Sequence, residues 1–321
     1  MIDSLPMSAI RRQRVVYSRA GYQRRKLVNV VMLSITALFT LLALVPLFWI
    51  IGYVVYKGWH YINLDFFIHM PRPLGMVGGG VLHAIEGTLV ISLLASFFAV
   101  PPGVLAAFYV AYKPNTLLGI VVRFSTDVLA GVPSIVIGLF SYVLIVKNQG
   151  HYSALAGGIA LAFIMLPTII RTTEEMIKLV PRSLREGALA LGSPEWKTAL
   201  TVTLPAAANG IITGIFLAIA RAAGETAPLL FTTLGNENYE IGKIIQGGLA
   251  ARQNIFSILG KIFEQPVDSL PLTLWKYAQQ PYPERINQAW ATALVLMIIV
   301  LSTNILTRLW VERRTARMQG K

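Results

Sequence analysis

The 321-residue chain is 55% hydrophobic and 13% charged, with a mean hydropathy of +0.61. Soluble domains carry about 25% charged residues, so this composition excludes an ordinary soluble domain, a disordered chain, a collagen and a disulfide scaffold, and points to an integral membrane protein. Cysteine is absent, which removes disulfides and thiolate-bound metals. The 28 Lys and Arg against 15 Asp and Glu leave a formal charge of +13, and its placement decides between nucleic-acid binding and a topology signal.

Residues 1–27 form a basic tail with Arg11, Arg12, Arg14, Arg19, Arg24, Arg25 and Lys26. A charge-free first span follows at 28–56, and its apolar stretch, about twice a signal-peptide core, reads as a signal anchor. The second span, 82–111, holds His83 and Glu86 near its start. The third, 122–146, holds Asp127, read as a helix-end carboxylate beside Arg123, and a Gly131-Val-Pro-Ser134 interruption. The fourth, 154–170, is short in its apolar core and runs on helically past Pro167. The fifth, 205–233, carries Arg221 and Glu225 near its middle, and the sixth covers 288–310. Six spans place both termini on one side. The basic clusters at both ends, with Arg171, Lys178, Arg182, Arg185 and Lys197 between spans four and five, make that side cytoplasmic. A nucleic-acid role loses to topology, because no aromatic-interleaved motif accompanies the charges.

The remaining features are local. Ala206, Gly210, Gly214 and Ala218 form a stripe of small residues suited to close helix packing. Gly131, Pro133, Pro167 and Pro228 are hinge points or fixed kinks. His60, His69, His83 and His151 are scattered without metal-ligand spacing and read as structural hydrogen-bonders. In the outer loop at about 235–287, where basic and acidic residues balance, 241–263 reads as interfacial or loop-embedded helix.

The inner loop is more specific. Pro181 can open a helix, Ser183-Leu-Arg-Glu186 has the form of a capping box, and a short helix over 184–191 follows. Gly192-Ser193-Pro194 breaks it, and a second helix from Glu195 yields to the fifth span at Leu204-Pro205. The pattern Glu186-Gly187-Ala188, Gly192, Val202-Thr203-Leu204-Pro205 resembles the Glu-Ala-Ala loop of importer-type ABC permeases, with Gly for Ala at 187 and Val for Ile at 202. Chance would produce it at roughly fewer than one in a million start positions. The runs Leu166-Pro-Thr-Ile-Ile-Arg171 to Val180-Pro181, Arg221-Ala-Ala-Gly-Glu-Thr-Ala-Pro-Leu-Leu-Phe231, Gly131-Val-Pro-Ser-Ile-Val-Ile-Gly138 and Gly79-Gly80…Gly87-Thr88 resemble the phosphate-specific permeases, nearer to their A-type than to their C-type subunit. One departure stands out: Ala111 occupies the place before Tyr112 where an acid is expected.

The resemblance implies an all-α integral membrane fold, six transmembrane helices of the type I ABC importer permease (MetI-like) kind. Its permease domain would cover 82–310, with a coupling loop at about 181–204 and a basic cytoplasmic tail at 311–321. It implies a bacterial inner-membrane subunit that pairs with a C-type permease and docks an ATP-binding subunit dimer through Glu186, Gly187, Ala188, Gly192, Val202, Leu204 and Pro205. A soluble phosphate-binding protein would meet it outside. There Asp268-Ser-Leu-Pro-Leu-Thr-Leu-Trp275 either receives that protein or is buried against the chain's own surface. ATP and Mg²⁺ would belong to the partner ATPase, since Gly242-Lys243 and Gly260-Lys261 are each followed by Ile and no P-loop occurs. A charge at mid-bilayer costs about 2.5–3.5 kcal/mol, so Arg221 and Glu225, four residues apart, form either a structural ion pair or a phosphate pathway site. Two other readings stay open: a permease for molybdate or sulfate, and a stand-alone channel or ion-coupled transporter, which leaves the loop motif without a purpose.

Overall fold

The computed structural model describes residues 19–318 apart from 74, 75 and 77, so Arg11, Arg12, Arg14 and Lys321 lie outside the described residues. The chain divides into two compact units, Met1–Tyr53 and Val54–Lys321, with helix α1 (Arg19–Gly58) running through the boundary. In the first unit α1 is apolar on every face, with Leu33, Phe39, Phe48 and Trp49 all exposed. A helix without a polar face is solvated by lipid rather than water. It begins at Arg19, so the last basic residues of the tail are helical rather than a separate segment.

The second unit opens with α2 (Leu64–Ile68), capped by Asn63, whose Oδ1 accepts the Phe66 N–H at 2.8 Å. The long α3 (Leu82–Tyr112) follows, then α4 (Leu117–Gly131), α5 (Ser134–Ser141), a π-helical turn at Tyr142–Val146 and α6 (Lys147–Gln149). Next come α7 (Ala154–Leu179), α8 (Arg182–Ala190), α9 (Glu195–Thr198), a second π-helical turn at Ala199–Thr203, α10 (Leu204–Ala223) and α11 (Ala227–Thr232). The chain ends with α12 (Ile241–Ala250), α13 (Ile255–Glu264), α14 (Leu270–Ala278) and α15 (Pro283–Met318). Among the described residues five helices are long and apolar enough to cross a membrane. The expected third span is the exception: α4 and the helix from α5 are bent by 107° at Val132-Pro133. Pro133 supplies no N–H to continue α4 and biases Val132 towards extended backbone, which is where the turn falls.

At the centre lies α7, packed against α3 on one side and α10 on another. Its residues Leu161, Met165 and Ile169 form one core with Ile91 and Leu94 of α3 and Ala218 of α10. Glycine makes this approach close. A Cβ at Gly214 would lie 2.2 Å from Thr172 Oγ1, and one at Gly158 would lie 2.6 Å from Leu94 Cβ. Gly210, Gly214 and Ala218 thus form the seam expected of the small-residue stripe, whereas Ala206 is exposed and stands outside it.

Three local expectations change. Pro181, not Ser183, stands at the N-cap of α8, and no side chain caps it, so the capping box does not form. The helix from Glu195 does not yield at Pro205: it continues to Ala223, because the π turn before Pro205 absorbs the missing N–H. In that turn the Leu204 N–H donates to Ala199 C=O, five residues back. The expected continuous fifth span ends at Ala223 and restarts as α11, broken by Gly224-Glu225-Thr226.

The segment 235–287 folds back on the second unit. Leu270, Leu272 and Tyr277 are fully buried with Phe66, Val81 and Val295 among their neighbours, so 268–273 of the run is covered by the chain's own surface, whereas Trp275 at its end is exposed. Glu86 accepts the N–H of Ile241 at 2.8 Å and holds the start of α12. Buried Tyr239 donates its hydroxyl to Ile262 C=O at 3.2 Å, and burial pushes both its phenol and that of Tyr277 well above the usual range, keeping them neutral. Among the histidines, His69 and His151 bond to nearby backbone carbonyls, but His83 does not fit the expectation. It is fully buried 3.9 Å from Asp268, with neither ring nitrogen in a hydrogen bond among the described residues.

The α7 seam predicts that Gly214→Leu lowers the thermal midpoint of the purified chain by several degrees, since overpacking costs about 1–3 kcal/mol. Gly247→Ala in α12, where a new Cβ meets nothing within 4 Å, leaves it unchanged or raises it. Thermal unfolding in detergent measures both.

Candidate functional site

Two broken helices meet at one cavity. The break between α4 and α5 contributes Val132, Pro133 and Ser134, and the break after α10 contributes Arg221 and Glu225. The wall between them is α7, through Ile164, Pro167, Thr168 and Arg171. The cavity encloses about 310 Å³. α5 and α11, the short helices beyond each break, pack on one another, which fixes the two breaks side by side. Irregular backbone at membrane depth is tolerated where it lines a cavity, and discontinuous helices are a recurrent way to build a transport site.

Arg221 sits in the last turn of α10 rather than in the middle of a span. Its Nε lies 4.0 Å from Glu225 Oε1, at the limit of an ion pair, with the side chains 61% and 21% exposed. Glu225 lies beyond the helix end, so the two do not share one helix face. They are joined across a turn closed by Gly224 and Glu225 N–H groups donating to Arg221 and Ala222 carbonyls. The loose contact leaves the Arg221 fork open to the cavity.

A second guanidinium lines the same space. Arg171 Nη2 donates to Asp127 Oδ1 at 2.6 Å, with both side chains at least half exposed. This corrects the pairing of Asp127 with Arg123, whose guanidinium instead meets Glu174, itself 2.6 Å from Lys178 Nζ. Helical spacing on α4 suggested the Arg123 partner, but α4 lies against α7 and the longer-range pairs win. From sequence Arg171 counts as a loop residue, because it follows the apolar core of span four. The signal that places it in the site is Pro167, which does not end α7 and so carries Arg171 one helical turn further on the cavity wall. Ser134 and Thr168 carry no sequence signal of their own.

Two guanidiniums, two hydroxyls and an uncapped helix start at Ser134, against the nearby carboxylates of Glu225 and Asp127, make a cavity suited to a small anion that must also leave. Among the described residues no three His, Asp or Glu converge as a metal ion would require.

The loop residues occupy a separate place. Glu186, Gly187 and Gly192 are exposed, and Ala188 is partly covered. Gly192 has φ +80°, a left-handed turn that only Gly adopts without strain, and this reverses the chain between α8 and α9. Val202 and Leu204 lie in and after the π turn, half-buried, and Pro205 is exposed beside them.

Residues 103–317 match the family described as binding-protein-dependent transport system inner membrane component. The chain is 41% identical over 291 residues to a phosphate transport system permease protein PstA of Yersinia pestis, covering 90% of this chain and 91% of that one. It is 36% identical over 291 residues to the PstA of Haemophilus influenzae, with 90% and 96% covered. Among solved structures it is similar to the inward-facing MetNI methionine ABC transporter, with a TM-score of 0.54 at 16% identity over 73% of this chain and 95% of that one. It is also similar to a bacterial alginate ABC transporter in complex with an alginate-bound periplasmic protein, with a TM-score of 0.56 at 14% identity over 91% and 96%.

The charge of the cavity can be read directly, because the chain has no cysteine of its own. In a Ser134→Cys variant, an anionic thiosulfonate should react about tenfold faster than a cationic one of the same size, and Arg221→Gln should reduce that preference. Equal rates for both reagents would show that the guanidiniums do not set the potential there.

Proposed function

The chain belongs to the binding-protein-dependent transport system inner membrane component family, and from that premise we propose that it is the membrane-spanning A-type permease subunit of an ATP-driven inorganic phosphate importer. It works in the bacterial inner membrane with both termini in the cytoplasm, paired with a C-type permease. It hydrolyses nothing itself: ATP and Mg²⁺ are held by an ATPase dimer docked on α8, and a soluble phosphate-binding protein delivers the ion from outside.

The observation that carries this reading is the convergence of two helix breaks on one cavity lined by Arg221 and Arg171. Phosphate is a compact tetrahedral anion, and a guanidinium fork can donate two hydrogen bonds to it while keeping its charge. Glu225 and Asp127, each already beside one guanidinium, supply an alternative partner when phosphate departs, so the site holds the ion without trapping it. The cavity is half of a path whose other wall comes from the partner permease. The α8 motif supports the coupling half of the proposal, because its exposed small residues and the Gly192 reversal leave a convex helix free to enter a groove on the ATPase.

In proteoliposomes with the complete complex, Arg221→Gln should cut ATP-driven phosphate uptake at least about tenfold, the cost of losing a charged hydrogen-bond donor, while Arg221→Lys retains part of it. Uptake at the native rate in Arg221→Gln would falsify the pathway role. Excess molybdate and sulfate should leave phosphate uptake unaffected if the site is selective for phosphate. Separately, Gly192→Ile forces a branched side chain into a left-handed turn and should insert normally yet lose the ATPase in co-purification or lose ATP-driven uptake. Normal uptake in it would remove α8 as the coupling helix.

A further inference from the structure

α8 stands away from the membrane helices. None of its residues is fully buried, and it packs mainly on α9 and on the π turn at Ala199–Thr203. Between α8 and the ends of α3 and α7 lies a cavity of about 710 Å³, lined by Tyr112, Ile177, Pro181, Arg185, Leu189 and Thr203 among others. An arm over a hollow transmits a push poorly unless something crosses the gap.

One side chain crosses it. Tyr112 is the last residue of α3, and its ring lies under the guanidinium of Arg185 on α8, with Cζ 3.9 Å from the ring centroid. The Tyr112 hydroxyl shares a 2.6 Å hydrogen bond with Thr203 Oγ1, in the π turn that leads into α10. Phe108, one turn earlier on α3, stacks behind the ring with centroids 6.2 Å apart, so the ring is backed by its own helix. Arg185 also reaches Glu195 Oε1 of α9 at 3.6 Å. Glu195, Arg185, Tyr112 and Thr203 therefore tie α8 and the end of α3 to the one helix that runs from α9 through the π turn into α10.

The tie ends at an irregular turn. The π turn holds a wider, less regular ring of hydrogen bonds, and Pro205, the second residue after it, has no N–H to add a further bond. Thr203 itself is buried, which holds its hydroxyl in place against Tyr112.

We propose that Tyr112 is a positioning residue for transport: the strut that converts displacement of α8 by the ATPase into displacement of α3 and α10. This rests on the reading of α8 as the coupling helix. A cation over an aromatic face and a short hydroxyl pair have different failure modes, which makes the role separable by substitution. Tyr112→Phe keeps the ring under Arg185 and loses the link to Thr203. Tyr112→Leu loses both.

The measurement is phosphate imported per ATP hydrolysed in proteoliposomes containing the full complex with its binding protein. A residue that only stabilises the fold would lower uptake and hydrolysis together and leave this ratio alone. The strut predicts that Tyr112→Leu keeps the ATPase bound and hydrolysing but lowers the ratio about tenfold, with Tyr112→Phe in between. Thr203→Val, which removes the hydroxyl's partner at nearly constant volume, should match Tyr112→Phe, and the double variant should be no worse than either. An unchanged ratio in Tyr112→Leu overturns the proposal. Where that variant does not assemble, an unchanged ratio in both Tyr112→Phe and Thr203→Val overturns it. Gly192→Ile separates the two readings: if it transports normally, α8 is not the coupling helix. If it uncouples while the Tyr112 variants do not, only the strut fails.

Discussion

The main core of the second unit is arranged around how closely α3 and α10 can approach α7. In lipid, apolar surface gains little by leaving one apolar environment for another, so helix association depends on contact distance and on the few polar links that survive. Gly158 lets α3 approach to side-chain contact, and Gly214 does the same for α10. With both neighbours drawn in, α7 becomes the wall against which the other features are placed: Thr168 and Arg171 at the cavity, Glu174 and Lys178 below them, and Ile177 at the small core near α8. A bulkier residue in either seam would shift the site as well as the packing.

The charges follow from that placement. Exposed ion pairs contribute little to stability, and those of Arg171 with Asp127 and of Arg221 with Glu225 are both at least partly open. Their effect is positional. Each holds a guanidinium at the rim of a cavity while leaving donors for another anion. Arg123, Glu174 and Lys178 differ, because Glu174 is largely covered and accepts from both cations, which binds α4 to α7 near the end that leads to α8. The same covalent chain therefore holds an open set of charges beside the cavity and a closed set where α4 meets α7.

Much of this was legible in the sequence, for identifiable reasons. Long apolar runs need only length and composition, so 82–111, 154–170 and 288–310 fall inside single helices. Gly192 was legible as a reversal because a left-handed turn favours glycine for local steric reasons. The Gly-Val-Pro-Ser interruption at 131–134 announced a break because proline lacks the N–H a helix needs and disfavours helix in the residue before it, although not that it bends by 107°. The misreadings share a cause as well. Ser183 had the spacing of a cap, Arg123 and Asp127 the spacing of a pair, and Arg221 and Glu225 that of one helix face. In the second case longer-range pairs with α7 overrode the local pattern, and in the other two a helix started or ended a few residues from where the spacing placed it.

By itself the sequence determined that this chain spans a membrane and which family of permeases it belongs to, since these depend on composition and motif spacing. Only the tertiary structure decided that Arg171 stands with Arg221, that two breaks face one cavity, and that Tyr112 reaches Arg185 and Thr203. Those contacts join residues far apart along the chain. Glycine seams along α7 draw α3 and α10 against it, and no local pattern encodes which distant residues then meet.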